Sequence, residues 1–312
     1  MEFLKNPNYD FLGKTKILLA LSTALILGGV AYISTQGVRY GVEFSGGTQL
    51  IARFQNRPEV DRVRSAVDKV TSGATIQTYD DPSKNQVLIR LPHTSANETD
   101  LGAGAQSVLQ SLKENYGANS VVESSTEIVG PIVGAELRRK AIQLTIFGLL
   151  FQLIYIAFRF GGAVWGAAAT IAVFHDVIIT VGLLAIFRYE ITLNVIAALL
   201  TLVGYSVNDT IVIFDRVREN LKQRRKEPMA KLINDSVNQT LSRTLISSGT
   251  TFLTVLGLFL FGGEVLRGFG FTMVVGIIIG TYSTIYIASP IVIWWSDRRS
   301  GGARAATAKA AL

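Results

Sequence analysis

The sequence predicts a polytopic α-helical membrane protein with six transmembrane helices and one ferredoxin-like α+β domain inserted between helices 1 and 2. Nearly half of the 312 residues are hydrophobic and only 17% are charged, and the mean hydropathy is +0.36. A spanning helix needs ~20 consecutive apolar residues. The sequence contains six such runs, near residues 15–34, 140–159, 163–187, 194–215, 244–262 and 268–296.

The first run is interpreted as an uncleaved anchor. It has about the length of a membrane span and is not followed by a small-x-small cleavage site before Gln36. Residues 1–14 then form a cytoplasmic N-terminus, and residues 297–312 form a cytoplasmic tail that is small, basic and expected to be disordered.

The basic residues follow the predicted topology. They precede the first span, crowd the connection after the fourth span and close the chain, so six spans place all three groups on one side. The positive-inside rule makes that side cytoplasmic. The net charge of +7 therefore reflects topology and does not indicate a nucleic-acid partner. Arg138, Arg139 and Lys140 are exceptions, because they would lie at the outer end of the second span.

Residues 35–139 are predicted to form a periplasmic, extracytoplasmic domain. Periodicity indicates strands at 49–54, 74–79, 86–91 and 120–128, and helices at 58–70 and 97–116. This β-α-β-β-α-β order is that of a split βαβ, ferredoxin-like sheet. Residues 43–48 form a glycine-rich turn, for which we expect a tight hairpin or a close backbone approach. Neither a Walker A pattern nor GxGxxG occurs, which excludes the usual nucleotide sites.

The five-helix remainder of the bundle occupies residues 140–296. Within it, the charged connection 216–242 is predicted to lie along the membrane surface as an amphipathic segment. In the last span a row of small residues recurs every four positions, which is typical of close helix packing. The row comprises Thr272, Gly276, Gly280, Thr284 and Ala288. With no cysteine and two histidines, thiolate and histidine-rich metal sites are excluded, and no organic cofactor is implied.

Asp209 is the sharpest candidate for a functional residue. It lies inside the fourth apolar run, where a carboxylate costs ~2.5 kcal/mol or more at the bilayer centre. Polar positions at helical spacing on this run predict a stripe that faces protein or water. The stripe comprises Thr201, Tyr205, Asn208, Val212 and Asp215. The fifth run carries a second stripe of Arg243, Ser247, Thr250, Thr251 and Thr254.

Asp209 and Arg243 are expected to meet, since they lie on successive helices. They form either a static ion pair that fastens two helices or a proton relay in which Asp209 titrates opposite Arg243. Asn208, Tyr205 and Ser247 are the expected polar lining. The buried pair His175-Asp176 in the third run is either a structural contact or part of the same relay.

Four motifs in order resemble the SecF family of bacterial protein-export subunits. They are GVEFSGGT after the first span, HDV in the third, GYSVNDTIVIFDRVREN in the fourth and QTLSRTLISSGTT at the start of the fifth. The resemblance covers the chain from the first span to about Trp295. It implies membership of the resistance-nodulation-division superfamily, a ferredoxin-like ectodomain and a bundle completed by six further spans from SecD.

The resemblance also implies a role for each site residue. The family's proton-relay aspartate falls on Asp209 and its arginine on Arg243, while His175 and Asp176 fit the family pattern. A multi-pass protein of the inner membrane is implied, which with SecD uses the proton-motive force to drive the late stage of export. The implied partners are SecD, the SecYEG channel, YajC, YidC, the translocating unfolded polypeptide and the lipid bilayer.

Three alternatives remain at this point. A small-molecule or lipid exporter of the same superfamily usually fuses both six-span halves in one chain, whereas this chain has one half. An intramembrane aspartyl protease would use Asp176 and Asp209, but their His-Asp and Asn-Asp contexts differ from the motifs of such enzymes. In a passive scaffold, Asp209 would only lock two helices together.

Overall fold

A computed structural model describes residues 7–79, 82–91, 98–117, 120–160 and 162–298. The chain enters helix α1 (Thr15–Gln36) through one 3₁₀ turn at Leu12–Lys14 and leaves it at Gly37, whose φ is 72°. The predicted disordered tail beyond residue 298, the first six residues and the two aspartates of the turn at 80–81 lie outside the described residues.

A small α/β domain follows α1. Its elements are α2 (Val42–Ser45), β1 (Gly47–Phe54), α3 (Val60–Asp68), β2 (Thr75–Tyr79), β3 (Gln86–Leu91), α4 (Glu98–Tyr116) and β4 (Val121–Val129). The four strands form one antiparallel sheet in the order β2-β3-β1-β4. The predicted β-α-β-β-α-β order, which ferredoxin-like domains share, is therefore confirmed by the element order.

The two faces of this sheet differ in polarity. Alternate residues of β1 and β3, such as Leu50 and Ile89, are fully buried with Val67 of α3 and Leu112 of α4 in one apolar core. Since side chains alternate along a strand, the other face carries polar residues in register. Gln49 there pairs with Arg90 on one side and Glu127 on the other.

The glycine-rich turn joins the domain to the bundle. Val42–Ser45 is a single helical turn rather than the alternative hairpin, and Gly46 and Gly47 continue it at φ of 72° and 128°, where a glycine is needed. A side chain at Gly134 would place its Cβ 3.1 Å from the Gly46 nitrogen. The predicted close backbone approach is confirmed, and it is the start of the second long helix that approaches.

Six helices of the described residues are long and apolar enough to cross a membrane. After α1 they are α5 (Pro131–Phe160), α6 (Ala163–Ile186), α7 (Leu193–Gln223), α8 (Met229–Phe261) and α9 (Gly263–Ser283). The last helix continues through one π turn at Thr284–Ala288, so that its candidate span runs over Val265–Arg298. In α6, α7 and this last span, half or more of the apolar window is buried, whereas α1, α5 and α8 lie at the periphery.

The boundary predicted at residue 139 differs from the structure. The helix begins at Pro131, nine residues before the predicted start at residue 140, so residues 131–139 belong to α5 and not to the domain. Proline is favoured at a first helical position because its φ is already helical and its missing N–H is not needed there. Glu136 and Lys140, which are four residues apart on this helix, form an ion pair at 2.8 Å.

The separate amphipathic segment predicted for residues 216–242 is not formed. Instead α7 extends to Gln223 and α8 starts at Met229, so the segment consists of two helix ends joined by a short loop. These ends bond to each other, with Asn220 donating to Ser236 Oγ at 2.8 Å and Arg224 donating to Asp235 at 2.7 Å. The polar residues thus pair across a helical hairpin, which explains their helical spacing.

Glycines set the two close helix contacts that position the buried polar residues. Gly29 of α1 lies against Gly182 of α6, where an added Cβ would lie only 2.9 Å from the facing Cα. Gly280 of α9 faces Ser206 of α7, and a Cβ there would lie 3.1 Å from the Ser206 Cβ. The small-residue row predicted in the last span is therefore a packing surface, and the helix it packs against is α7.

Candidate functional site

Two carboxylates are buried in the bundle. Asp176 on α6 is 0% exposed and Asp209 on α7 is 2% exposed. Leaving a polar group unpaired in such a place costs free energy, so the partners of each carboxylate define its environment. These partners differ between the two sites.

The Asp209 carboxylate lies where α7, α8 and α9 meet. Its Oδ2 accepts hydrogen bonds from Ser248 Oγ of α8 at 2.8 Å and from Thr281 Oγ1 of α9 at 3.3 Å. Both bonds end on the same oxygen. A hydroxyl can donate to an ionised carboxylate and accept from a protonated one, so this pair of hydroxyls can hold either form of Asp209.

Arg243 does not form the expected direct contact with Asp209. Its charge is near enough to act on the carboxylate, but within the described residues no ion pair of 4.0 Å or less joins them. Ser248, five residues further along α8, takes that place. At 3.6 residues per turn, five residues correspond to a rotation of about 140°, so Arg243 faces outward and is exposed.

The two predicted polar stripes are present, but they lie on the surface of the single chain and not around Asp209. We name these exposed or half-buried residues the open polar face. It comprises Thr201, Tyr205, Asn208, Arg243, Ser247, Thr250 and Thr254. Tyr205 Oη donates to the Ser247 carbonyl at 3.3 Å and joins its two helices. Asp209 follows Asn208 directly and is rotated from it by about 100° around α7. The buried carboxylate is therefore one residue away from the open polar face.

Asp176 is the centre of a second, fully enclosed network. Its Oδ1 contacts His175 Nδ1 at 2.9 Å, and its Oδ2 accepts from Ser206 Oγ at 2.6 Å and from Ser283 Oγ at 2.8 Å. His175 Nε2 lies 2.9 Å from Ser22 Oγ, which in turn lies 2.6 Å from Tyr282 Oη. The network ties α1, α6, α7 and α9 together, and the Gly29–Gly182 contact lies two turns along α1 and α6 from its Ser22–His175 bond.

Several residues of both sites could not be recognised from the sequence. Ser206 occurs three residues before Asp209, and Thr281 and Ser283 follow Gly280 of the small-residue row. Serine and threonine are common in membrane helices and often bond to their own backbone. The positions of these serines and threonines along the helices do not indicate which of them meet a carboxylate. The packing of α9 on α7 brings these hydroxyls to the two carboxylates.

The arrangement disfavours the intramembrane protease. An aspartyl dyad needs two carboxylates that share one proton. In the described structure no hydrogen-bond partner is common to Asp176 and Asp209, since Ser206, Ser283 and His175 bond only the first, and Ser248 and Thr281 only the second. The two acids act as separate sites.

Comparison with known proteins agrees with this architecture. The family described as "Protein export membrane protein SecD/SecF, C-terminal" matches residues 108–298, and the "SecD/SecF GG Motif" matches residues 31–56, which contain the glycine-rich turn. A protein translocase subunit SecF from Calditerrivibrio nitroreducens is 42% identical, covering 94% of this chain and 96% of its own. One from Koribacter versatilis is 37% identical, over 96% of this chain and 94% of its own.

A solved structure has the same fold. The crystal structure of SecDF from Thermus thermophilus, a translocon-associated membrane protein, superimposes with a TM-score of 0.81 at 37% identity, over 94% of this chain. This chain spans only 39% of that SecDF chain. A structure of SecDF in a super-membrane-facing form matches 97% of this chain with a TM-score of 0.71.

The four sequence motifs, the six apolar helices and the matches over nearly the whole length agree with one another. The family match covers residues 108–298, which is more than half of the chain. This multi-pass membrane protein therefore belongs to the SecD/SecF family of protein export membrane proteins.

Proposed function

We propose that this chain is a subunit of the Sec protein translocase in the inner membrane, where together with SecD it uses proton flow to drive the late stage of protein export. Its relatives are named protein translocase subunits. Asp209 is the proton carrier, Arg243 modulates its charge, and Tyr205, Asn208 and Ser247 are the polar lining. The family match argues against the alternative, a small-molecule or lipid exporter.

The placement of Asp209 supports the proposal most directly. The carboxylate is buried and held by hydroxyls of α8 and α9, one step from a face that carries Arg243. Ionising it changes the attraction between these three helices. One charge moved through the membrane potential yields about 2.3 kcal/mol per 100 mV, which is of the size needed to shift a conformational equilibrium by a large factor.

The open polar face supports the requirement for SecD. A row of exposed hydroxyls, an amide and an arginine on two spanning helices is costly against lipid, so it faces water or protein. The match of this chain to 39% of a SecDF chain fits a bundle that is completed by a second half. In the complex, Arg243 and Asn208 then lie at the junction of the two halves, beside Asp209.

The α/β domain is proposed to stand outside the cell membrane. The basic residues of the N-terminal segment and of the α7–α8 connection lie at the other end of the bundle, where Asn238 and Asn234 of α8 hold the backbone of Tyr9 and Phe11 at 2.8 and 3.0 Å. By the positive-inside rule that end is cytoplasmic. The domain then faces the emerging polypeptide beside SecYEG, with YajC and YidC as further partners.

The decisive experiment replaces Asp209 by Asn in membrane vesicles that also contain SecD. Because both hydrogen bonds end on Oδ2, the amide oxygen of Asn retains them and the helices stay packed. We expect the proton-dependent late stage of export to be lost, by at least about tenfold, a loss of 1.4 kcal/mol or more. ATP-driven initiation should continue.

A matched control is Asp215→Asn on the same helix. Asp215 pairs with Arg159 at 3.1 Å near the surface, with both side chains more than 40% exposed, so its loss should leave export unchanged. Arg243→Ala should lose the proton-dependent stage as Asp209→Asn does, and Arg243→Lys should retain part of it. Wild-type export by Asp209→Asn would refute the proton-carrier role and leave the scaffold alternative.

A further inference from the structure

The α/β domain contacts the bundle not only where α1 and α5 connect to it but also at a loop between two other helices. The connection between α6 and α7, residues 187–192, reaches up to the domain, and we name it the junction loop. Ile191 N–H donates to the Arg39 carbonyl at 2.8 Å, and Gly41 N–H donates to the Ile191 carbonyl at 2.9 Å. The loop is thereby paired, in a parallel bridge, with the segment that enters the domain.

An ion pair adds a second contact. Arg90 of β3 donates from both terminal nitrogens to the two carboxylate oxygens of Glu190, and its Nε donates to Gln49 Oε1 of β1 at 3.3 Å. The two side chains are 23% and 20% exposed. Bidentate arginine–carboxylate pairs are stronger and more specific in geometry than single bonds, so the polar face of the sheet is fixed to the loop.

The charges around Arg90 favour this arrangement. Glu43 of the glycine-rich turn lies near Arg90, Glu127 of β4 and the backbone amide of Leu193. Burial raises the pKa of the Glu43 carboxyl, Glu127 raises it further, and the two backbone amides and Arg90 oppose these effects. Arg90 therefore lies near three carboxylates, Glu43 of the turn, Glu127 of the sheet and Glu190 of the loop.

The junction loop leads directly into the helix that carries Asp209. Thr192 caps α7 by accepting from Val195 N–H at 3.3 Å, and α7 contains no proline between Leu193 and Gln223. Sixteen residues separate Leu193 from Asp209, which at 1.5 Å per residue is about 24 Å. A continuous helix of this length transmits a displacement from one end to the other as a rigid element.

We propose that the Arg90–Glu190 pair is a latch that couples the position of α7 to the α/β domain. Arg90 and Glu190 are then positioning residues for the motion that drives export. Protonation at Asp209 moves α7, the junction loop moves with it, and the latch carries the movement to the polar face of the sheet. This inference rests on the proposed function, because it needs a proton-dependent change at Asp209.

The test reverses the two charges separately and together. Arg90→Glu and Glu190→Arg should each lower the proton-dependent stage of export at least about fivefold, the size of typical coupling between contacting residues. The double variant Arg90→Glu/Glu190→Arg restores the pair and should recover part of the lost export, since the glutamate at position 90 also lies near Glu43 and Glu127. Wild-type export by both single variants, or a double variant as slow as the single ones, would overturn the latch.

The matched control is Arg53→Glu. Arg53 is a neighbour on the same polar face and pairs with Glu123 at 3.1 Å, entirely within the domain. This variant reverses an arginine without touching the bundle, so export should remain as in wild type. An equal loss in Arg53→Glu would show that any reversal in the sheet damages the domain, and would overturn the assignment to the latch.

A second measurement does not depend on export. The sequence has no cysteine, so with a cysteine-free SecD, spin labels at Val70→Cys on the domain and Val265→Cys on the bundle, both exposed, report only the distance between the two bodies. In the purified complex with SecD, Arg90→Glu should broaden the distance distribution and the double variant should narrow it again. An unchanged distribution in Arg90→Glu would contradict the latch.

Asp209→Asn in the same export assay separates the two proposals. If it is inactive while both single latch variants export normally, the proton-carrier role stands and the latch is wrong. If Asp209→Asn exports normally, the proposed function is wrong. The latch is then also overturned as a coupling device, whatever the distance distributions show about the contact itself.

Discussion

Asp176 and Asp209 are both nearly inaccessible to solvent in this chain, yet they have different surroundings. Asp176 uses both carboxylate oxygens, and its partners Ser206, Ser283 and His175 are themselves buried. Asp209 uses one oxygen, and its neighbour on α7, Asn208, is exposed on the open polar face. The hydrogen bonds of Asp176 are satisfied within the chain, whereas Asp209 lies beside a polar surface that needs a partner.

Burial alone therefore does not identify the carboxylate that titrates. A fully satisfied buried network rigidifies the packing around it, and the Asp176 network does so for four helices. A carboxylate with free hydrogen-bonding capacity and a nearby cation can change partners when its charge changes. We therefore propose that Asp176 belongs to the fixed frame of the bundle and Asp209 to the part that moves.

The largest expected effect on stability comes from Asp176→Ala. Removing the carboxylate leaves two buried hydroxyls and His175 without their partner, so we expect a loss of about 3 kcal/mol in the free energy of unfolding. Asp209→Ala should cost about half as much, because fewer donors lose their acceptor. Thermal unfolding of the detergent-solubilised protein measures both. Equal losses would remove the distinction between the two sites.

A smaller effect is expected from Asn208→Leu on the open polar face. Asn208 is exposed and makes no hydrogen bond to another described side chain, so the stability of the isolated chain should change by less than about 0.5 kcal/mol. Co-purification with SecD should weaken by about fivefold, since a polar contact between membrane helices contributes about 1 kcal/mol. The exposed Phe158→Leu on α5 is the control. Unchanged association in Asn208→Leu would contradict a partner at this face.

The smallest effect concerns Glu43, a carboxyl outside the spanning segments. Burial raises its pKa above 4.5 in the folded chain, so the folded state holds this proton more tightly than the unfolded state does. Stability from this group is therefore present at low pH and is lost as the pH rises through the raised pKa. Glu43→Gln should flatten that slope and gain less than about 1 kcal/mol at neutral pH.

Thermal unfolding from pH 5 to pH 8 checks this prediction, with Glu59→Gln as the exposed control. A steeper loss of stability with rising pH in Glu43→Gln than in wild type would contradict it. The result also extends the comparison between Asp176 and Asp209, because Glu43 is half-buried beside a cation and lies near the start of α7, at the opposite end from the α7–α8 connection.

Periodicity in the sequence determined the number of spanning helices and the order of strands and helices in the domain. These follow from local patterns, since a run of about 20 apolar residues is long enough to span a membrane and alternating polarity indicates a strand. The sequence also singled out Asp209, because a carboxylate in an apolar run is costly enough to be noticed. It did not identify Ser248 or Thr281, which are small and common in membrane helices.

Which side chains meet depends on how the helices pack against one another. The pairing of Asp209 with Arg243, expected from their places on successive helices, fails because the rotation of α8 presents Ser248 to the acid and turns Arg243 outward. Ser206 and Ser283 are buried where α7 packs on α9 beside Gly280. Arg90 of the sheet meets Glu190 of the junction loop, 100 residues further along the chain. Spacing along one helix fixes the direction of a side chain relative to its neighbours, but the rotation and depth of each helix are set by contacts between helices, which no local pattern records.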